Sequence, residues 1–302
     1  MDYIVETKDL SKIYSSKYAV DHVNMHIPQG SIYGFVGENG SGKTTIMRLL
    51  MGLALPTNGG YSLFGINNKD KSILSVRKNI SAIVEAPSLE PSMTAVENLH
   101  YACLYYGIQN DEELIMSSLK TVGLEDTGKK KVKNFSLGMK QRLGIAVLLL
   151  NKPTLMLLDE PMNGLDPSGM ADLRELILSL NKQGITFLIS SHILAELEKV
   201  ATHYGFISEG KLIKEISVED LAKECPPGLE LKYHDLDKLE KALRDLGYND
   251  LKVYSNSLRI VGENKPLEVL KELEKKGISI DYVRTREVDI EDYYLRMIGG
   301  QE

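Results

Sequence analysis

Long hydrophobic runs are missing from this 302-residue sequence, as are tryptophan and any cluster of cysteines. No stretch approaches the roughly 18 consecutive apolar residues of a membrane-spanning helix. The longest candidate, Leu143 to Leu150, is too short to cross a bilayer, so any action at a membrane has to run through a partner. Cys103 and Cys225 stand far apart, with no CxxC or Cys/His cluster near either. That excludes a disulfide framework or a zinc site as the organising feature and points to a reducing, cytoplasmic setting. The N-terminal MDYIVETKDL has no positive n-region and no apolar h-region, which predicts no export signal. An excess of basic charge is missing too. The 36 Lys+Arg against 42 Asp+Glu leave a net charge of −6, without the basic footprint on which nucleic-acid binding leans. There is no internal repeat and no low-complexity tract. What is present is 43 % hydrophobic and 26 % charged residues, the balance of a folded globular chain, at a length that predicts roughly two domains.

Up to about residue 215 short apolar runs alternate with amphipathic helices, the pattern of an α/β domain with a parallel sheet. Ser31 to Val36 reads as a strand, followed by a glycine-rich loop and a helix from Lys43 to about Leu53. Thr154–Leu158 and Ile185–Ile189 are apolar on both faces, as central parallel strands are. Met170, Leu173, Leu176, Ile177 and Leu180 mark one face of a helix between them. A helical insert over about 86–150 interrupts this domain, with helices over Thr94–Tyr106, Glu112–Val122 and Leu137–Leu150. The first opens on Thr94-Ala95-Val96-Glu97, the spacing of a capping box. The boundary is expected near Lys211 to Glu224, with a break at Pro226-Pro227-Gly228. Beyond it, over 225–302, strand (229–233), helix (236–246), strand (251–254), strand (258–261), helix (267–276) and strand (278–284) follow. That βαββαβ order predicts a small ferredoxin-like α+β domain. A last amphipathic helix is expected from about Ile290 to Ile298.

Gly37-Glu38-Asn39-Gly40-Ser41-Gly42-Lys43-Thr44 fits the pattern GxxxxGK followed by Ser or Thr, placed between a strand and a helix. A triphosphate needs many donors at short range. Glycines let backbone N–H groups approach it, and the helix start adds a positive end. Lys43 is expected to reach the β- and γ-phosphates and Thr44 to bind Mg²⁺, with Thr45 beside it. Leu155-Met156-Leu157-Leu158-Asp159-Glu160 is an apolar strand ending in two carboxylates, where α/β sheets bind ligands. Asp159 is predicted to hold Mg²⁺ through water and Glu160 to act as general base on the attacking water. His192, after Leu188-Ile189-Ser190-Ser191, is placed to stabilise charge on a γ-phosphate oxygen. In Phe135-Ser136-Leu137-Gly138-Met139-Lys140-Gln141-Arg142, Ser136 reads as an N-cap. The same serine, Gly138 and helix start also make a second anion cradle. One ATP needs one cradle, so the second makes sense facing the nucleotide of another subunit.

This ordered set resembles an ATP-binding cassette (ABC) ATPase of the transporter type over about residues 1–215. The resemblance implies a P-loop NTPase fold, with Phe135–Met139 standing for the signature LSGGQ, Ser136 and Gly138 retained and the rest altered. Asn163-Gly164-Leu165-Asp166 resembles the D-loop, and Tyr14 sits where the family stacks an aromatic ring on adenine. In place of the family's Mg²⁺-contacting Gln the chain has Glu85, which by the resemblance binds nucleotide and Mg²⁺ but cannot donate the hydrogen bond of an amide. Glu85 together with FSLGMKQR is similar to the subgroup that protects bacteria against bacitracin and lantibiotic peptides. The resemblance implies an ATPase subunit, two copies sandwiching two ATP and Mg²⁺, working beneath a separate transmembrane permease on the inner face of the cell membrane. It implies no nucleic-acid partner and no membrane span of its own. Another multidrug or lipid exporter is the alternative. A cassette ATPase acting on DNA or ribosomes typically carries a second cassette, a coiled-coil insertion or zinc-binding cysteines, none of which is here. An importer's tail tends to be a small β-barrel, against which the βαββαβ order argues.

Overall fold

The computed structural model describes residues 2–109, 111–224, 228–263 and 265–286, and beyond them 290, 293, 294 and 297. The chain divides into two compact units, Met1–Ile216 and Ser217–Glu302. The first begins with β1 (Tyr3–Tyr14), β2 (Lys17–Val23), β3 (His26–Pro28), β4 (Ile32–Val36), α1 (Lys43–Met51), β5 (Asn58–Leu63) and β6 (Ile66–Asn67). It continues through α2 (Ile73–Val76), β7 (Ile80–Ile83), α3 (Ala95–Tyr106), α4 (Glu112–Thr121), α5 (Leu137–Leu149) and β8 (Leu155–Asp159). It ends with α6 (Pro167–Lys182), β9 (Thr186–Ser191), α7 (Leu194–Leu197), β10 (His203–Ser208) and β11 (Lys211–Ser217).

The main sheet runs β11-β10-β4-β9-β8-β7, and the five strands from β10 to β7 are parallel neighbours. β4, β8 and β9 are buried along their whole length, which is why they read as unbroken apolar runs. A second, antiparallel sheet joins β1 with β2, β3, β5 and β6. Sequence periodicity does not announce it, because bulges break the alternation. The β1–β2 register shifts between Leu10 and Ile13, and Asp9 takes a left-handed φ of 47°. α1 supplies Ile46, Met47, Leu49 and Leu50 to a core shared with Leu10, Val20 and Ile27 of this sheet and Phe35, Leu157 and Leu188 of the parallel one. The phosphate-loop helix is therefore held by both sheets. The stretch from Lys211 to Glu224, within which the two units divide, forms β11 and α8 (Val218–Glu224).

In the helical insert, Thr94 caps α3 as its spacing predicts. Its hydroxyl accepts from Glu97 N–H at 3.2 Å, and the Glu97 carboxylate accepts from Thr94 N–H at 2.6 Å. Lys131 adds an ion pair at 2.9 Å. The Thr94 backbone donor, with Lys131 beside it, holds the Glu97 carboxyl down at about 2. Its folded value lies below the ordinary one, so its stabilisation is complete above the ordinary carboxylate range and is lost as pH falls toward 2. Thr94→Ala should cost about 1 kcal/mol of stability. Thermal melts from pH 6 down to pH 2 check both points, and Glu97→Ala should flatten the acid limb.

The second unit continues as β12 (Gly228–Lys232), α9 (Leu236–Asp245), β13 (Leu251–Val253), β14 (Leu258–Val261), α10 (Pro266–Lys275) and β15 (Tyr282–Arg286). Its sheet runs β13-β14-β12-β15 with every pairing antiparallel. Leu229, Leu231, Leu258 and Ile260 point to one face and pack with Leu239, Leu243, Val269 and Leu273 of the two helices. The strand expected over 278–284 starts later. Gly277 (φ 72°) ends α10, and Ile278 N–H bonds back to Leu273 O at 3.0 Å, turning Ile278 into the core. Pro226, Pro227 and most of the helix expected over 290–298 lie outside the described residues.

Candidate active site

The parallel register aligns strand ends: Val36 of β4 lies beside Ser191 of β9, and Asp159 of β8 beside Ser190. The loops that leave this carboxyl edge carry Gly37–Gly42, Glu160–Asp166 and His192, at the position where parallel sheets bind ligands.

In the phosphate loop, Gly37 and Gly42 are demanded by the protein's own packing. A Cβ on Gly37 would come within 2.3 Å of the Ile207 carbonyl, and one on Gly42 (φ 112°) within 2.5 Å of the Ala19 carbonyl. Around Gly40 (φ 83°) there is open space. Beside the loop lies a cleft of about 400 Å³ lined by Lys17, Tyr18, Glu38, Asn39, Gly40 and Ser41. The Lys43 ammonium is buried and donates to the carbonyls of Gly37 (2.6 Å) and Glu38 (3.0 Å). Burial pulls its pKa below the ordinary lysine value, and the carboxylates of Glu160 and Asp159 act in the opposite direction.

Ser190 organises the two carboxylates, a role sequence reading did not assign. Its hydroxyl donates to Asp159 Oδ1, and Glu160 N–H is shared between the Ser190 hydroxyl (2.9 Å) and carbonyl (3.2 Å). Thr44 Oγ1 donates to Asp159 Oδ2 at 2.7 Å, bringing together two of the three groups expected at Mg²⁺. Glu160 takes a left-handed φ of 49°, a costly conformation that turns its side chain back toward the loop. One carboxylate oxygen, Oε2, lies 2.7 Å from His192 Nδ1 and accepts from His192 N–H at 3.3 Å. A carboxylate only accepts, so this bond puts the proton on Nδ1. The other oxygen, Oε1, is 3.7 Å from Lys43 Nζ. It is buried with no hydrogen-bond partner, as is Ser41 Oγ. Buried polar atoms without partners are rare. Two of them, on the phosphate loop and on the carboxylate opposite, fit a site built for a polar ligand and its water. Thr44 and Asp159 supply the hard oxygens a divalent cation takes.

Glu85 does not join them. It follows β7 in a left-handed conformation (φ 71°), is 68 % exposed, and pairs with Arg48, one turn beyond Thr44 on α1. Its expected place among the Mg²⁺ and nucleotide ligands has no geometric support, because the Arg48 guanidinium engages the carboxylate instead. Tyr14 ends β1 and is 47 % exposed. Ser136 caps α5, accepting from Met139 N–H at 3.2 Å, which leaves its own O–H proton to donate outward. Asp166 caps α6 by accepting from Gly169 N–H at 3.1 Å. Gly138 and Gly169 bring the starts of these two helices together, since a Cβ on Gly138 would sit 3.6 Å from Gly169 Cα.

A family model described as ABC transporter matches residues 20–163. The chain is 42 % identical to the bacitracin transport ATP-binding protein BcrA of Bacillus licheniformis, over 99 % of both chains. It is 44 % identical to the lantibiotic transport ATP-binding protein SrtF of Streptococcus pyogenes, over 70 % of this chain and 90 % of that one. Among solved structures, the dimeric post-hydrolysis state of the ATP-binding cassette MJ0796, bound to ADP and Pi, superposes with a TM-score of 0.63. Their identity is 26 %, over 71 % of this chain and 98 % of that one.

Proposed function

The chain belongs to the ABC transporter family of ATP-binding proteins, and on that premise we propose that it drives export of bacitracin-like or lantibiotic peptides by a separate permease. The observation that carries the chemistry is the facing of the phosphate loop and Lys43 by Asp159 and Glu160. The full-length similarity to a bacitracin transport protein carries the substrate class.

In this reading the loop 37–45 wraps the triphosphate and Lys43 neutralises its β- and γ-oxygens. Tyr14 stacks on the base, a contact tolerant of base identity. Thr44 and Asp159 would hold Mg²⁺, which would neutralise phosphate charge when bound. Glu160 Oε1 accepts a proton of the attacking water, whose oxygen bonds to the γ-phosphorus as the bond to ADP breaks. His192 holds Glu160 through Nδ1–H and presents its other nitrogen toward the γ-phosphate. Ser136 and Gly138 of a second copy close over the nucleotide, with Asp166 linking the two sites in an isologous dimer. The dimeric MJ0796 cassette supports that assembly.

No helix among the described residues is long and apolar enough to cross a membrane. In this reading the permease is a separate protein and this subunit works peripherally at its cytoplasmic side. The exposed Tyr101, Leu104 and Tyr105, spaced along one face of α3, offer it an apolar surface. Co-expression with the permease in a sensitive bacterium should raise resistance to bacitracin or a lantibiotic. Unchanged sensitivity to every such peptide would remove the substrate class.

Glu85 has its part in coupling. It lies where β7 leads into the helical insert and ties that loop to α1 through Arg48. Glu85→Gln turns the ion pair into a weaker polar contact, and protection in cells carrying the permease should fall several-fold. Protection that stays at the wild-type level would refute the coupling role.

A further inference from the structure

Tyr14 is read above as the platform for the base, and the inference here rests on that reading. We propose that Lys12 is a positioning residue for this platform, holding the ring in the orientation that receives the base.

Lys12 and Tyr14 lie near the end of β1, where the bulge between Lys12 and Ile13 breaks the strand's alternation. The Lys12 ammonium sits over the Tyr14 ring, 4.9 Å from its centroid. It also donates to the Leu55 carbonyl at 2.9 Å. The segment that carries Leu55 is tied to the same strand. Thr57 Oγ1 accepts from Ile13 N–H at 3.1 Å, and Thr57 N–H donates to the Ser11 carbonyl at 2.8 Å. The ammonium is thus anchored on one side to a fixed backbone oxygen and covers one face of the ring with the other.

A tyrosine at an exposed strand end has several staggered rotamers open to it. A cation over one face selects among them through the ring quadrupole, and the Leu55 carbonyl keeps that cation from drifting into water. Orienting the ring beforehand removes an ordering cost from nucleotide binding. The ammonium also withdraws electron density from the ring and so favours stacking of an electron-rich base on the opposite face. Lys12 therefore acts through Tyr14 and has no part in holding phosphate.

The test measures binding of ATP and of inorganic tripolyphosphate, which has no base, by calorimetry. Lys12→Met keeps the length of the side chain and removes its charge. It should weaken ATP about three-fold and leave tripolyphosphate affinity unchanged, and Lys12→Arg should restore ATP binding. In a Tyr14→Ala background, which itself weakens ATP about ten-fold, Lys12→Met should add nothing. If Tyr14→Ala weakens ATP and Lys12→Met does not, the positioning role is overturned while the platform stands. Equal losses from Lys12→Met in both backgrounds, or a matching loss for tripolyphosphate, overturn it as well. If Tyr14→Ala leaves ATP affinity unchanged, the platform itself fails and the role of Lys12 fails with it.

Discussion

Glu160→Gln should lower ATP turnover by at least about 100-fold, the scale of a lost general base, while ATP binding persists. Gln has the same shape, so the left-handed backbone at residue 160 and its N–H bond to Ser190 survive the change. What disappears is the negative charge on Oε1, the buried oxygen without a partner near Lys43. An amide there is a far poorer proton acceptor. Binding and hydrolysis then come apart, and the variant should accumulate as an ATP-bound dimer on a sizing column. Turnover near the wild-type rate would place the base elsewhere in the site.

Gly138→Asp should abolish hydrolysis to a similar degree without impairing nucleotide binding by the monomer. Within its own chain Gly138 has room, because a Cβ there meets only ordinary contacts with Gly169 at 3.6 Å and Leu165 at 3.9 Å. It lies in the first turn of α5, where a carboxylate is favoured by the helix dipole. The variant should therefore fold, and its defect would be a negative charge aimed at the partner's triphosphate. Mixing it with a Lys43→Ala chain tests the sharing directly. Half of the dimers would be mixed, each with one intact composite site, so activity should recover to roughly a quarter of wild type. No recovery from two inactive parents would count against sites built from both copies.

Much of the site was legible in the residues because its signals are local. A loop of glycines before Lys43 and Thr44, between a strand and a helix, specifies its own backbone conformation and its own charge. An apolar strand ending in Asp159-Glu160 is equally self-contained. The antiparallel sheet was not legible, since the bulges around Asp9 and Leu10 erase the period-two pattern that would have marked it. The glycines had a second reason that sequence does not carry: Gly37 and Gly42 are pressed by the carbonyls of Ile207 and Ala19, far away in the chain.

By itself, then, the sequence determined the phosphate loop, the paired carboxylates, the caps at Thr94 and Ser136, and the strand and helix order of the second unit. Each depends on neighbours within a few residues. Only the tertiary structure decided that Ser190 would bridge Asp159 and Glu160, that Glu85 would pair with Arg48, and that the Lys12 ammonium would lie over the Tyr14 ring while donating to the Leu55 carbonyl. Most of these contacts join segments tens of residues apart, and strand register selects the partners. A shift of one residue in register would send each strand side chain to the opposite face, so no local pattern encodes which partner it meets.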